Sequence, residues 1–396
     1  MILVFGLLLV AGAFLTCYAA YWLLLLATHF LAPGRPATLG DGRTRFAVLI
    51  PAHNEELLLP RLLESVRRQE YPAERFDAYV IADNCTDSTS VIARDHAVHV
   101  LERLDTERMG KGYAIGWALN QIRLDEYDAA LIVDADCTMS PNALRSLDGA
   151  LKRRRVIQCH NGVGNPDESW FTRLLDVSRT VNNRIYNPSK QRLGLSCELT
   201  GTGMCFAVPI LRQYPWDAYS VGEDWEYYAK LVQAGEIVGF DVDAKILHEE
   251  SLSLKQATSQ RMRWSSGRFA IVFKYGFRLL LRGLSERNLV KFDAGLCLVF
   301  PNPSLAMNST LLCIGISMVA WPWSSPAFSL WFLTLALLQL GVFVTGVFYT
   351  QHRTKKLLAI FVSPAFLVWK MGIDALSILS VGRKTWVRTE RKGGRV

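Results

Sequence analysis

The sequence lacks charged side chains over two long stretches, and these absences are the first indication of the class of protein. Residues 1–34 and 294–352 contain no Asp, Glu, Lys or Arg, and charged residues make up only 20% of the chain. Because a helix of about 20 apolar residues crosses a bilayer core, the first stretch predicts one transmembrane helix and the second a transmembrane helix hairpin. A signal peptide is the alternative for 1–34, but that stretch has no basic start and no small-residue cleavage site.

Paired cysteines and repeats are also missing. The eight cysteines include no Cys-x-x-Cys pair and no histidine at a zinc-binding spacing, which argues against a disulfide scaffold and against a zinc site. The formal net charge is +8, but residues 383–396 alone hold six Lys or Arg and one Glu. The basic excess therefore lies mostly at one end, which favours anionic membrane lipid as a partner and does not indicate nucleic acid.

Basic residues beside the apolar stretches predict the orientation. They are Arg35, Arg43 and Arg45 after the first stretch, and Arg353, Lys355 and Lys356 after the second. Because basic flanks stay in the cytoplasm, we expect a multi-pass inner-membrane protein with an external N-terminus and a large cytoplasmic block. Residues 357–379 are apolar but contain Lys370 and Asp374. We predict that 353–396 forms an interfacial or re-entrant helix and a basic cytoplasmic tail, with a fourth full span as the alternative.

A second interfacial element is predicted just before the hairpin. Four basic residues in 266–293 fall mostly four apart among Phe, Leu and Tyr, which is typical of helices that lie on a membrane surface: Arg268, Lys274, Arg278 and Arg282. These side chains are expected to face anionic headgroups.

The block at 45–265 alternates strand and helix signals. Apolar runs predict strands at 46–50, 78–82, 98–101 and 129–133. Helices are expected from a cap at Asn54, over 88–95, over 112–122 and from Pro141. Strands joined by helical crossovers predict an α/β domain with a mainly parallel sheet covered on both faces. Ligands bind beyond the carboxyl ends of such strands.

Polar residues gather where three of these strands end. The segments are 53–56 (His-Asn-Glu-Glu), 83–87 (Asp-Asn-Cys-Thr-Asp) and 134–136 (Asp-Ala-Asp). A lone Asp after a strand is usually a turn or a helix cap, but three such segments at one edge indicate a site. Asp134 and Asp136 could hold a hard divalent cation, with a diphosphate completing its coordination shell.

Three further motifs offer groups that could bind or activate a ligand. Lys111, between two glycines, places a charge at a helix N-terminus, or it is a solvated lysine in a tight turn. Asp224, in a Gly-Glu-Asp motif, is either a helix cap or a base for a substrate hydroxyl. Residues 260–264 offer the amide of Gln260, the donor fork of Arg263 and the ring of Trp264, although an amphipathic surface helix is the alternative.

In this order, the motifs resemble those of the inverting family 2 glycosyltransferases, and more narrowly of the Gln-x-x-Arg-Trp branch that includes cellulose and hyaluronan synthases. The likeness covers about residues 45–264 by motif. It implies a GT-A fold, a Rossmann-like α/β domain joined here to transmembrane and interfacial α-helices. It also implies a nucleotide-diphosphate sugar donor, with UDP-sugars expected first, and Mg²⁺ or Mn²⁺ as cofactor.

The resemblance also assigns roles to the donor side of the site. Asp83 would contact the nucleotide base, and Glu55 would line the same pocket. Lys111 would approach the diphosphate. Asp134 would hold the nucleotide, and Asp136 the metal ion.

On the acceptor side, the resemblance makes Asp224 the general base. Gln260, Arg263 and Trp264 would clamp the diphosphate and the acceptor end. The number of predicted spans is smaller than in the large synthases, so export by this chain alone is in question and a partner protein for export is left open.

The sequence thus predicts a membrane-bound inverting glycosyltransferase that acts on a polysaccharide or lipid-linked acceptor at the cytoplasmic face. A non-catalytic nucleotide-sugar-binding subunit of a synthase complex is the alternative, and intact Asp136, Asp224 and Arg263 argue against it. A sugar-nucleotidyltransferase is a third hypothesis, which would need neither the Gln-x-x-Arg-Trp motif nor the membrane spans.

Overall fold

The computed structural model describes residues 2–32, 38–300, 303–320 and 325–380. In these ranges, eight strands form one mixed sheet in the order β3-β2-β1-β4-β7-β6-β8-β5. The strands are β1 (Phe46–Ala52), β2 (Phe76–Asp83), β3 (His99–Arg103), β4 (Ala129–Ile132), β5 (Cys137–Met139), β6 (Val156–Val163), β7 (Met204–Ala207) and β8 (Val238–His248). Strands β3, β2, β1 and β4 are parallel, as are β6 and β8, whereas β7 and β5 run antiparallel to their neighbours. The predicted mainly parallel α/β sheet is therefore confirmed.

Helices cover both faces of the sheet. They are α2 (Leu59–Arg67), α3 (Thr89–Asp95), α4 (Lys111–Gln121), α5 (Ala143–Leu151), α6 (Trp170–Thr180), α7 (Asn187–Arg192), α8 (Val208–Gln213) and α9 (Glu223–Gln233). One apolar core lies between the sheet and α2, α3 and α5, and the other between the sheet and α4, α8 and α9. Burial of strands on both faces explains why β1 and β4 read as uninterrupted apolar runs.

Two predicted helix starts are wrong. Asn54 does not cap α2, which begins at Leu59 with Pro60 in its first turn. Asn54 instead adopts a left-handed conformation, φ 57°, and its Oδ1 accepts a hydrogen bond from the Thr86 amide over 2.7 Å. The side chain thus closes a loop between two strand ends, a contact that local sequence does not reveal. The helix expected from Pro141 begins at Ala143.

In the described ranges, eight further helices are strongly apolar or lie beside apolar helices. They are α1 (Ile2–Leu31), α10 (Leu254–Ile271), α11 (Phe277–Ser285), α12 (Leu289–Val299), α13 (Pro303–Val319), α14 (Pro326–Thr345), α15 (Arg353–Phe361) and α16 (Ser363–Leu379). Two segments, Val4–Leu31 and Pro326–Tyr349, are single helices long and apolar enough to cross a membrane. The pairs α12–α13 and α15–α16 also meet this criterion if each counts as one bent span. Arg35, residues 321–324 and the basic tail lie outside the described residues.

Side-chain contacts fix the relative direction of the apolar helices. The rings of Phe5 and Phe328 lie 5.0 Å apart, and at the other end His29 Nε2 lies 2.7 Å from Tyr349 Oη, so α1 and α14 run side by side in the same direction. Helix α13 returns against α14, where Ser317 Oγ lies 2.9 Å from Ser329 Oγ.

The α15–α16 pair contacts the sheet domain at both ends. At its start, Lys356 is buried and forms an ion pair with Asp176 of α6, with 2.7 Å between Nζ and Oδ2. Near its end, Asp374 accepts a hydrogen bond from Ser265 Oγ of α10 over 3.0 Å. The two helices meet at 58°.

Candidate active site

Lys111 lies at the centre of a cluster at the carboxyl edge of the sheet. Its ammonium group forms an ion pair with Asp134, which follows β4, and it lies 3.7 Å from Glu223 Oε1 at the start of α9. It also donates a hydrogen bond to the carbonyl oxygen of Gly201 over 2.6 Å. One lysine therefore joins the ends of three chain segments far apart in sequence.

The turn at residues 200–203 (Thr-Gly-Thr-Gly) brings Asp224 to the same place. Gly201 has φ 80°, a conformation that favours glycine. A Cβ atom built on Gly201 would lie 3.4 Å from Asp224 Oδ2 and 3.6 Å from Lys111 Nζ. Thr202 Oγ1 accepts a hydrogen bond from the Asp134 amide over 3.0 Å. Lys111, Asp134 and Asp224 thus lie around one turn, as expected from the motif order.

Burial sets the protonation behaviour of the carboxylates in this cluster. It raises the pKa of Asp224 to about 6 and that of Glu223 to about 7, although Lys111 opposes both shifts. Burial also raises the pKa of Asp134, again against the effect of Lys111. Burial alone would lower the pKa of Lys111, but the carboxylates of Asp134 and Glu223 raise it above its ordinary value. A carboxylate with a pKa near 6 is mostly ionised at neutral pH and basic enough to accept a proton.

Asp224 is in the first turn of α9 but not at its N-cap position. Gly222 occupies the N-cap position without a side-chain hydrogen bond, and Asp224 Oδ1 accepts from the Trp225 amide over 2.9 Å. The second carboxylate oxygen, Oδ2, is the one near Gly201. Asp224 thus satisfies a free N–H group in the first turn of α9, as the capping interpretation expects, while its second oxygen lies at the site.

Asp83 and Glu55 lie at the adjacent strand ends. Asp83 is buried and forms an ion pair with Arg103, with 2.6 Å between Oδ1 and Nη1, and burial raises its pKa. The Glu55 amide donates to Thr89 Oγ1 over 2.8 Å. The ring of His53 joins the two segments, because its Nδ1 lies 2.7 Å from the carbonyl oxygen of Asp83. Asp83 and Glu55 therefore lie close together, at the carboxyl ends of β2 and β1.

The Gln-x-x-Arg-Trp motif lies on α10. Gln260 is buried, and Arg263 and Trp264 are half-buried. The Trp264 ring lies 6.5 Å from the ring of His248, the last residue of β8. His248 pairs in register with Cys137, which directly follows Asp136. Trp264 is therefore connected through one histidine to the strand that begins beside Asp136.

The prediction that Arg268 faces lipid headgroups is wrong. Its guanidinium carbon lies 3.6 Å above the centroid of the Trp225 ring, one residue after Asp224. The cause is a close approach, because a Cβ on Gly267 would lie 3.0 Å from the Gly222 amide nitrogen. Lys274 likewise forms an ion pair with Glu226, 3.0 Å apart, although its side chain is 61% exposed. The spacing of basic residues along the sequence does not show which of them contact α9.

Two features of this region were not predicted from the sequence. His248 at the end of β8 belongs to no motif, and Arg268 was assigned to the lipid-facing row. Among the described residues, no group of three or more His, Cys, Asp or Glu side chains is placed to hold a metal ion. The Asp134 and Asp136 carboxylates are still the donor type that Mg²⁺ or Mn²⁺ takes, provided that other ligands come from a substrate.

Comparison with known proteins decides the family. Residues 43–267, more than half of the chain, match the sequence model described as "Glycosyltransferase like family 2". The chain belongs to this glycosyltransferase family. A solved structure, the mannosyltransferase PcManGT from Pyrobaculum calidifontis in complex with GDP-Man and Mn²⁺, is similar to it with a TM-score of 0.55. The two are 18% identical, and the match covers 94% of this chain and 97% of that one. The GT-A fold predicted for family 2 glycosyltransferases is therefore confirmed.

Curated relatives of this family 2 glycosyltransferase are distant. The probable glycosyltransferase YdaM of Bacillus subtilis (strain 168) is 24% identical over 58% of this chain, and the match spans 57% of YdaM. A beta-monoglucosyldiacylglycerol synthase of Synechocystis sp. is 22% identical over 83% of this chain and 68% of its own length. These names support glycosyltransferase activity of class EC 2.4 and leave the sugar undetermined.

Proposed function

We propose that this protein is a membrane-bound inverting glycosyltransferase of the Gln-x-x-Arg-Trp branch. It would transfer a sugar from a nucleotide-diphosphate donor to a polysaccharide or lipid-linked acceptor at the cytoplasmic membrane face. The observation that carries the proposal is the position of Asp224. Its Oδ2 lies beside the same turn as Lys111 Nζ, which in turn forms an ion pair with Asp134. A basic carboxylate and a cation for the diphosphate thus occupy one edge of the sheet.

The chain's own residues suit an inverting displacement. Asp224 takes the proton of the acceptor hydroxyl, whose oxygen forms a bond to the anomeric carbon of the donor sugar as the bond from that carbon to the diphosphate oxygen breaks. Lys111 stabilises the negative charge that develops on the departing diphosphate. Arg263 offers a planar donor fork to the same diphosphate, and Gln260 and Trp264 hold the acceptor end.

The cofactor and the nucleotide pocket extend this proposal. Asp136 would hold Mg²⁺ or Mn²⁺, which when bound would neutralise charge on the diphosphate, and Asp134 would hold the nucleotide. The neighbouring structure in complex with GDP-Man and Mn²⁺ is consistent with this type of donor and metal. Asp83 and Glu55 would receive the nucleotide base, with UDP-sugars as the first donors to test.

The acceptor is proposed to come from the membrane. The match to a beta-monoglucosyldiacylglycerol synthase over 83% of this chain supports a lipid acceptor.

The contacts of Lys356 with α6 and of Asp374 with α10 support a re-entrant α15–α16 segment. We infer three crossings, formed by α1, by α12–α13 and by α14, with the sheet domain in the cytoplasm.

A donor and acceptor screen tests the proposal. Full-length protein in lipid nanodiscs is incubated with UDP-glucose, UDP-galactose, UDP-GlcNAc or GDP-mannose and with diacylglycerol or a membrane lipid extract. We expect release of nucleoside diphosphate together with a glycosylated product in mass spectra. Nucleotide-sugar binding without turnover under all conditions would favour the non-catalytic subunit. Release of pyrophosphate from a nucleoside triphosphate and a sugar phosphate would favour the nucleotidyltransferase.

A further inference from the structure

Glu250 is a buried carboxylate that has no role in the mechanism proposed above. It lies two residues beyond the end of β8 and is 3% exposed. Its Oε2 accepts a hydrogen bond from Arg261 Nη2 of α10 over 2.7 Å. Arg179 Nη2 of α6 lies 3.7 Å from Oε1, and His248 Nε2 lies 3.5 Å from the same oxygen. One carboxylate thus faces cationic groups from two helices and a histidine from the sheet.

The backbone of Glu250 is fixed as firmly as its side chain. The Glu250 amide donates to Asn165 Oδ1 over 2.9 Å, and Asn165 Nδ2 donates to the Glu250 carbonyl oxygen over 3.0 Å. Burial opposes ionisation, but Arg261, His248 and Arg179 together hold the pKa of Glu250 well below its ordinary value. The group is therefore a fixed negative charge between α6, β8 and α10.

Two of the partners of Glu250 face Trp264. The guanidinium carbon of Arg261 lies 4.6 Å from the centroid of the Trp264 ring, and the His248 ring approaches the same indole edge to face at 6.5 Å. His248 in turn lies opposite Cys137, next to Asp136. A continuous set of contacts therefore runs from the strand after Asp136, through Glu250, to Trp264.

We propose that Glu250 is a positioning residue that fixes Trp264 and α10 against the Asp134–Asp136 edge, and so sets where the acceptor lies relative to the donor. The proposal rests on the acceptor role proposed above for Trp264. Without the Glu250 charge, Arg179 and Arg261, whose side chains are only 21% and 16% exposed, would lose the counterion that they share. Arg261 would also lose the hydrogen bond that holds it on the indole. A shift of about 1 Å in a positioning group can reduce a rate by about 10²-fold.

Glu226 provides a matched control. It is 5% exposed and lies near two lysines, 3.0 Å from Lys274 and 3.5 Å from Lys230. Like Glu250, it is buried beside two cationic side chains, but the ring that Lys274 approaches is that of Tyr275. Glu226→Gln should therefore reproduce the loss of stability without the loss of acceptor positioning.

The experiment compares Glu250→Gln, Glu250→Asp and Glu226→Gln in the full chain in nanodiscs. For both Glu250 variants we expect kcat for transfer to fall by about 10²-fold, while the Kd for UDP changes by less than about threefold. Glu226→Gln should lower the melting temperature to a similar extent and keep most of the transfer rate. Adding Arg261→Gln to Glu250→Gln should cost little more than the single change, because the two residues act as one unit.

Two results would overturn the proposal. One is a Glu250→Asp protein that folds and transfers sugar at the wild-type rate. The other is an equal loss of transfer in Glu226→Gln and Glu250→Gln, which would reduce Glu250 to a stabilising residue. If the wild-type protein transfers no sugar, the proposed function fails separately, and hydrogen exchange still decides the positioning role. Amides of α10 should then exchange faster in Glu250→Gln than in Glu226→Gln, and equal exchange would refute the role.

Discussion

Lys111 and Asp134 form an ion pair across the carboxyl edge of the sheet, between the first turn of α4 and the end of β4. The same ammonium group is bonded to the carbonyl oxygen of Gly201. Because the Lys111 ammonium group is held on both sides, its position is fixed before a phosphate group binds, so it is preorganised for that group. The Lys111–Asp134 ion pair therefore links binding of the donor diphosphate to the arrangement of the side chains at this edge.

Replacing Lys111 with Met should weaken donor binding. Loss of one charged hydrogen bond costs about 1.5–3 kcal/mol, which corresponds to about 10- to 100-fold in Kd. Isothermal titration with UDP measures this change. Lys152→Met is the control, since it removes an exposed ion pair with Asp41 elsewhere on the domain. Unchanged UDP affinity in Lys111→Met would remove Lys111 from the diphosphate site.

Asp136 is predicted to hold the metal ion. Asp136→Asn should abolish most turnover, because loss of charge at a metal ligand costs several kcal/mol of transition-state stabilisation. Excess chelator should have the same effect on the wild-type protein, and added Mn²⁺ or Mg²⁺ should reverse it. Full activity of the wild-type protein in excess chelator would refute the metal assignment.

Substitutions of Arg268 and Arg278 are expected to have different effects on transfer, although both side chains were predicted to face lipid. Arg268 lies on Trp225 beside the proposed base, whereas Arg278 is exposed. A cation–π contact of a partly buried arginine is worth about 1–2 kcal/mol. Arg268→Gln should therefore lower both stability and transfer, and Arg278→Gln should change transfer little in neutral-lipid nanodiscs. Equal effects of the two changes on transfer would restore the original interpretation of a lipid-facing row.

The orientation of α14 can be tested by thiol labelling. In a protein with Cys17 and Cys85 changed to Ser, we introduce Ser325→Cys or Gln351→Cys, at the two ends of α14. An impermeant maleimide added to intact cells should label the cysteine at 325 only, and lysis should expose the one at 351. The reverse pattern would place the sheet domain outside the cytoplasm.

Much of the fold could be predicted from the sequence because strands buried on both faces leave uninterrupted apolar runs. The strand before Asp134 is one example and was predicted within one residue, and the strand predicted over 78–82 runs from Phe76 to Asp83. The position of Asp134 at the carboxyl edge also followed from the parallel strands, whereas the grouping of Lys111 and Asp224 with it was implied by the family resemblance.

The remaining features depend on contacts between distant segments. Arg268 turns inward where Gly267 packs against Gly222, and the spacing of residues within α10 does not reveal that approach. Glu250 gave no signal either, since a single Glu in a polar segment is usually solvated. Its importance is visible only once α6, β8 and α10 are brought together.

The pH dependence of transfer follows from the raised pKa of Asp224, about 6, which burial produces. A base must be ionised, so the rate should be constant above that pKa and should fall about tenfold per pH unit below it. The measurement is kcat between pH 5 and 8 at saturating donor. A rate that does not change between pH 5 and 7 would argue against a carboxylate base with this pKa.

The most direct test of the account is Asp224→Asn, with Glu223→Gln as the neighbouring control. Asn has nearly the same shape as Asp and can still accept the hydrogen bond from the Trp225 amide, so the protein should fold and bind UDP as the wild type does. Sugar transfer should fall by about 10²- to 10⁴-fold, the usual cost of losing a general base, and Glu223→Gln should have a milder effect. If Asp224→Asn keeps more than about a tenth of wild-type transfer, a loss too small for a missing base, Asp224 is not the base and the proposed mechanism is wrong.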